Sequence, residues 1–397
     1  MSNFSLATLL DPIGVERFLA SHWEQSHLHV ARNDPDYYRE LLSAANIDDL
    51  IAHGDGRYPA IRLARDGAFF PPEAYTRNVR YGDESFNAVP DVEKIFTEYL
   101  SGATVTLPAL HRTWLPLGLL CLALESRLDH AVHANAYVTP ANAAGFTAHY
   151  DTHEVFVLQI AGEKHWQIFA PPLHLPHRTQ TFSPERHAAA GPALAELRLR
   201  AGDLLYLPRG YLHSTTTSGS FSAHVTVGIT VYTWVELALE LLQGCGADAR
   251  FRRALPPGFA STADVQQDLA RELSELIASW CQRADYEQIV ASFLQRVRAT
   301  RSRAPGTFRA DVSVIGPTTL LGVVTQRRYA LSEEREHAVL MLDERRVLLP
   351  PATRPALQVI CSGTPFSAAA LPGALSLDAR LALVRYLHGL GLVGPCG

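Results

Sequence analysis

Two imidazoles and one carboxylate near the middle of this 397-residue chain have the types and the spacing to hold one metal ion. His149 and Asp151 stand two residues apart, and on extended backbone side chains i and i+2 leave the same face. His213 closes a second strand-like stretch that begins at Gly202, so a third ligand can arrive from another part of the sheet. Two His and one carboxylate form a facial donor set that suits Fe(II) and leaves three coordination positions free for a co-substrate and O2. A structural zinc site would instead be closed by Cys or by four protein ligands. With 17 His in the chain, an H-x-D triplet on its own carries little weight, and its surroundings decide. A polar turn run at 139–145 precedes the triplet and an apolar strand at 155–160 follows it. A turn at 161–163 then leads to a second strand at 164–169. Pro208-Arg209-Gly210 forms a turn that can aim His213 inward.

Lys164 is the most informative single residue. Of 35 basic residues only Lys94 and Lys164 are lysine; the rest are Arg. A lysine against that bias, 15 residues after His149, points to a need for a compact ammonium rather than a planar guanidinium. The carboxylate of a small co-substrate, buried beside the metal, would supply that need. A hairpin lysine with its head in water is the plain alternative.

The run His133-Ala-Asn135-Ala-Tyr137, then Gly145-Phe-Thr-Ala-His149-Tyr-Asp151, then Glu154 through Lys164-His-Trp, and finally Gly202 to His213 resembles the JmjC-domain ribosomal oxygenases, the cupin-4 family. The resemblance implies an α+β fold. A double-stranded β-helix (cupin/JmjC) barrel would be followed by a helical dimerisation module and a winged-helix-like C-terminal domain. It further implies a 2-oxoglutarate- and Fe(II)-dependent dioxygenase, with His149, Asp151 and His213 as iron ligands. Lys164 would pair with the distal carboxylate of 2-oxoglutarate, and Asn135, Tyr137 and Thr226 would line the co-substrate pocket. Eukaryotic members carry an acidic residue just after H-x-D, where this chain has Thr152-His153. That departure bears on the substrate rather than on the iron chemistry.

Around this centre, the composition is that of a globular chain, 47% hydrophobic and 19% charged, with room for two or three domains. A net charge of −5 gives no argument for nucleic acid or membrane binding. No apolar run reaches the roughly 18 residues of a membrane span, and no signal peptide is evident. The five Cys lack CxxC spacing and read as reduced thiols, so a cytoplasmic protein is expected.

The spacing of Val15, Phe18, Leu19 and Trp23 predicts helix over 1–45. Strands are expected at 58–63 and 104–107, and helices at 91–99 and 114–128. The catalytic sheet spans 131–232; His177 and His187 fall in a Pro-rich loop and read as exposed and unremarkable. His224 is either near the metal or a hydrogen-bonded core histidine. Arg62, Arg77 and Arg80 read as solvated or structural, with a substrate groove as the alternative. From Trp234 the pattern turns helical, with an apolar stripe over 263–279 that serves either packing or a second subunit. The domains are therefore expected at 1–233, 234–300 and 301–397, with a basic Pro/Gly linker at 298–306. From Arg301 onward 11 Arg face 7 Asp/Glu, and the helix expected near 376–388 is apolar, so no nucleic acid is expected as a direct ligand.

The expected reaction is hydroxylation of an amino-acid side chain in a protein or peptide, with a ribosomal protein His or Arg as the target the resemblance implies. A natural-product precursor peptide is an alternative substrate. N-methyl-lysine demethylation would use the same iron chemistry but calls for an aromatic cage that the sequence does not display. A non-redox metal cupin and a non-catalytic adaptor are rivals from other classes; against the adaptor stands the cost of keeping a polar cluster inside a barrel.

Overall fold

Local sequence explains most of the elements that carry the site. The computed structural model describes residues 4–53, 58–185, 191–260, 263–299, 315–323, 329–333, 337–342 and 345–396. Ser5 opens α1 (Leu6–Leu10) with a capping box completed by Thr8, and Gly14 at φ +83° resets the chain for α2 (Val15–Ser21). The expected helix then stops. Residues 22–43 are turns around a short strand, β1 (Leu28–Val30), and helix resumes only at α3 (Ala44–His53). A three-residue edge strand is fixed by the neighbour it pairs with, so its own sequence carries no signature.

Next come β2 (Arg62–Arg65), β3 (Ala68–Phe69), a hairpin of β4 (Thr76–Tyr81) and β5 (Glu84–Pro90), α4 (Val92–Leu100), β6 (Thr104–Leu107) and α5 (Leu115–Leu128). Asp91 caps α4, and Trp114 is tied through its indole N–H to the Leu41 carbonyl at 2.8 Å. The barrel strands are β7 (Ala131–Thr139), β8 (Glu154–Ile168), β9 (Ala195–Arg200), β10 (Leu204–Leu207), β11 (His213–Thr216) and β12 (Ser222–Thr230). The larger sheet runs β1-β10-β8-β12-β7-β6-β2-β3, and β9 and β11 flank the second half of β8. Two antiparallel sheets joined in this way make a double-stranded β-helix, the α+β barrel that was expected.

The turn expected at 161–163 does not exist: β8 is one continuous strand of 15 residues. Gly162 adopts φ +63°, and a Cβ there would stand 1.9 Å from the Phe221 carbonyl, so only glycine fits. The irregularity changes which side chains face inward. Before it, Val155 and Val157 pack inside the barrel; after it, Trp166 and Ile168 join the same cluster, with Lys164 in phase with them. A one-residue phase change exchanges the two faces of a strand. It turns Lys164 into the barrel. On the opposite face Phe156, Leu158 and Ile160 join the main core with Phe18, Tyr206, Leu120 and Leu124.

Beyond the barrel lie α6 (Trp234–Gln243), α7 (Ala263–Arg283) and α8 (Tyr286–Ala299). The C-terminal elements are β13 (Leu321–Val323), β14 (Tyr329–Glu333), β15 (Ala338–Leu342), β16 (Arg345–Leu349), α9 (Arg354–Cys361), α10 (Leu377–Gly389) and β17 (Val393–Pro395). They enclose a core of their own, built among others from Leu340, Leu357, Ile360, Val384 and Leu387. Ser376 caps α10 as its sequence implies. The linker at 298–306 lies, from residue 300 on, outside the described residues, as does His187. Among the described residues no helix is long and apolar enough to cross a membrane.

Candidate metal centre

The backbone brings the two imidazoles together. His149 and His213 are direct antiparallel partners, exchanging N–H···O bonds of 3.1 and 2.9 Å, and their rings lie 4.6 Å apart. His213 opens β11 rather than closing the preceding strand, because the chain breaks at the turn after Leu207. Gly210 in that turn donates its N–H to the Asp151 carbonyl at 3.0 Å, which ties the carboxylate segment to the turn delivering His213. Ligating atoms of His149, Asp151 and His213 all lie within 4.8 Å of one another.

Each imidazole is set in the tautomer a metal needs. His149 Nδ1–H donates to the Thr147 carbonyl at 2.8 Å, and His213 Nδ1–H donates to the Tyr211 carbonyl at 3.1 Å. In both cases the acceptor is a backbone oxygen two residues upstream, so Nε2 keeps its lone pair. Burial, reinforced by the neighbouring His149, pushes the His213 imidazole down to about 4, so it is neutral and able to coordinate. Burial works against the Asp151 charge, but His153, His213, His149 and His133 together hold its carboxyl below the usual range. Two imidazoles with Nε2 free and one ionised carboxylate fit a divalent cation, and Fe(II) in particular.

His153 Nε2 lies 3.9 Å from Asp151 Oδ1, and His133 meets His153 edge to face at 5.0 Å. Gly228 makes room for both; a Cβ there would stand 2.4 Å from His133 and 3.1 Å from His153. Burial, then His153, pushes His133 down to about 4.

Lys164 opens into the same cavity of about 220 Å3 that the three ligands line. It is 3% exposed, and among the described residues its one hydrogen-bond partner is Thr139 Oγ1 at 3.2 Å. Burial pushes the ammonium down to about 7. The hairpin reading, with the amine in water, is therefore wrong. Asn135, Tyr137 and Thr226 also line the cavity, Asn135 and Thr226 being cross-strand partners between β7 and β12. Burial and Asp151 push the Tyr137 phenol up to about 12, against hydrogen bonds from Thr226 and Asn135.

Several lining residues escape a reading of the sequence alone. Thr104 touches Thr139 at 3.0 Å across β6 and β7, 35 residues apart in the chain. Phe69 and Phe146 pack at 5.6 Å on one wall, with the Arg62 guanidinium 3.5 Å above the Phe69 ring. Trp166 and His224 lie beside Lys164, and Trp166 Nε1 and His224 Nδ1 are buried without a partner among the described residues. His224 was readable only as near the metal or in the core; it is in the cavity wall, stacked on Tyr137 at 5.1 Å. His177 contradicts its reading as exposed and unremarkable: it is half-buried and bonded to the buried Glu236 at 2.8 Å.

Residues 118–237, the stretch holding the ligands and Lys164, match the JmjC domain family. That stretch is a JmjC domain. Ribosomal oxygenase 1 of Gallus gallus is 31% identical over 260 residues, 62% of this chain and 41% of the chicken protein. The bifunctional lysine-specific demethylase and histidyl-hydroxylase NO66 of Drosophila erecta is 32% identical over 231 residues, 56% and 33% of the two chains. Ribosomal oxygenase 2 of Mus musculus is 26% identical over 315 residues, 77% and 65% of the two chains. The chain thus spans between 33% and 65% of the length of these relatives. Among solved structures, Escherichia coli YcfD superposes with a TM-score of 0.52 at 16% identity, covering 96% of this chain and 97% of that one. That likeness shows the JmjC cupin fold with its mixed strands and helices.

Proposed function

We propose that this chain is a 2-oxoglutarate- and Fe(II)-dependent dioxygenase that hydroxylates a side chain of a protein or peptide, a ribosomal protein His or Arg being the first candidate. His149, Asp151 and His213 would hold the metal. Fe(II) with 2-oxoglutarate and O2 supplies the chemistry: one oxygen atom goes to the substrate C–H bond and the other to succinate, with loss of CO2. The chain's part is to bind and orient. Lys164 meets the carboxylate that the metal does not reach, Asn135, Tyr137 and Thr226 shape the pocket, and Phe69 and Phe146 form one of its walls.

One observation carries this reading. A buried lysine whose one hydrogen-bond partner among the described residues is a neutral hydroxyl shares its cavity with a preset His-Asp-His cluster. Such a cation is costly unless an anion completes it. Succinate formation that depends on Fe(II) and on substrate, with a mass gain of about 16 Da on a ribosomal protein, tests it. Asp151→Ala is expected to abolish both; undiminished turnover in that variant sinks the ligand assignment. Formaldehyde release in place of the mass gain would favour demethylation, which the name of the fruit-fly relative includes.

The same reading divides the chain at 1–233, 234–300 and 301–397. A homodimer built on α6–α8 accounts for Trp234 at 84% exposure together with exposed Leu239, Val290 and Leu294. A winged-helix-like role for the last unit draws support from its separate core and its three-stranded sheet β14-β15-β16. The burial of Leu383, Val384 and Leu387 on α10 favours an architectural over a groove-reading helix.

A further inference from the structure

Tyr150 stands between two of the proposed ligands, and strand alternation sends its side chain away from theirs. It is buried there, and its Oη–H donates to the Gln180 carbonyl at 2.8 Å. Gln180 belongs to a turn closed twice on itself. Its N–H donates to the His177 carbonyl at 2.7 Å, and its Oε1 accepts from His177 N–H at 2.8 Å. The Thr179 N–H donates to His177 Nδ1 at 3.4 Å, so the imidazole proton sits on Nε2 and is given to Glu236 Oε1 at 2.8 Å. Glu236 is itself fixed: its Oε2 accepts from Thr233 N–H at 2.8 Å and from Thr233 Oγ1–H at 2.5 Å, the capping box that starts α6. An unbroken hydrogen-bonded chain therefore runs from the first turn of α6 to the residue between His149 and Asp151.

The same segment also presses on the other side of the centre. Gly210, in the turn before His213, has φ +89°, and a Cβ on it would stand 2.4 Å from the Leu173 carbonyl and 2.7 Å from Pro176. Gly210 is the residue that bonds the Asp151 carbonyl. Residues 173–180 thus abut the segment holding His149 and Asp151 and the turn that delivers His213.

We propose that residues 173–180 form a strut through which α6 sets the spacing of the three metal ligands, making Glu236, His177 and Tyr150 positioning residues for the metal. This rests on the metal-site reading above. In this scheme a shift of α6 reaches the ligand segment through the Glu236–His177 bond, the exposed His177–Gln180 turn and the Gln180–Tyr150 bond, without any residue of the strut touching the ion.

The test is a titration of the full chain with Co(II), followed by visible absorption, alongside thermal unfolding of each metal-free variant. Tyr150→Phe keeps the ring and removes the bond to Gln180; His177→Ala removes the 2.8 Å link to Glu236, leaving Arg178 Nε 3.5 Å from the same carboxylate oxygen. Each is expected to weaken Co(II) binding about tenfold or more, in the range typical for loss of a group that orients a metal ligand. The double variant should bind no more weakly than the weaker single one, because both cut the same chain. His177→Gln, whose amide can still donate to Glu236, should recover most of the affinity. Wild-type Co(II) affinity in Tyr150→Phe and His177→Ala, with only the unfolding temperature lowered, would reduce the strut to packing and overturn the proposal. Additive losses in the double variant would overturn it as well. If His177→Ala does not fold, Tyr150→Phe and His177→Gln decide in the same way. A wild-type chain that binds no Co(II) would instead overturn the metal-site reading itself, and the strut with it.

Discussion

Glu154 and Lys164 are buried ionisable residues ten positions apart on the same strand, and the fold treats them in opposite ways. Glu154 is 0% exposed and fully met: Arg209 Nη1–H donates to it at 2.7 Å and Tyr206 Oη–H at 2.5 Å, while Arg209 also pairs with Glu24. That cluster clamps the start of β8 to the turn before His213 and to the segment after α2. Among the described residues Lys164 has a single neutral hydroxyl. A closed charge cluster holds the scaffold, whereas an open one keeps its interaction free for a ligand. Within one element, the fold thus completes one buried group and leaves the other to be completed.

The contrast can be broken from either end. The largest effect on stability is expected from Glu154→Ala, about 3 kcal/mol by chemical denaturation, the lower edge for breaking a buried pair because Glu24 still faces Arg209. A loss below about 0.5 kcal/mol, the size of an ordinary surface change, would mean that the closed cluster is not structural. Lys164→Met should do the reverse and stabilise the ligand-free chain by about 2 kcal/mol, since it removes a lysine that folding must either bury charged or deprotonate. A smaller, pH-dependent effect sharpens the same point. With its folded value near 7 and its ordinary value at 10.5, Lys164 is neutral in the folded chain and charged in the unfolded chain between those limits. The unfolded state then binds more protons, so this residue makes stability rise with pH from about 7 to 10.5, and the penalty is full below 7. Lys164→Met should flatten that slope in denaturation measured at several pH values; an unchanged slope would place its origin elsewhere.

Much of the site was legible without coordinates because its logic is local. The i, i+2 spacing of His149 and Asp151 needs only extended backbone to share a face, and Lys164 stood out against an arginine-rich background. What was misread depended on partners far along the chain. Gly162 reads equally as a turn or as a kink in a strand, and the Phe221 carbonyl, 59 residues on, decides for the kink. β1 exists because β10 lies beside it. His177 looked unremarkable in a Pro-rich loop because Glu236 is likewise 59 residues away. The wall from Phe69 to Phe146 joins two segments with no shared pattern.

The central claim is that a dicarboxylate is gripped between the metal and Lys164. Anaerobic calorimetric titration of 2-oxoglutarate into the Fe(II)-loaded chain tests it most directly. One equivalent should bind with uptake of a proton above pH 7, when the Lys164 ammonium re-forms against its new partner. Binding should weaken about 10- to 100-fold in Lys164→Met, the loss expected for a charge-assisted hydrogen bond. Equal affinity in wild type and Lys164→Met, or binding indifferent to removal of the metal, would contradict it.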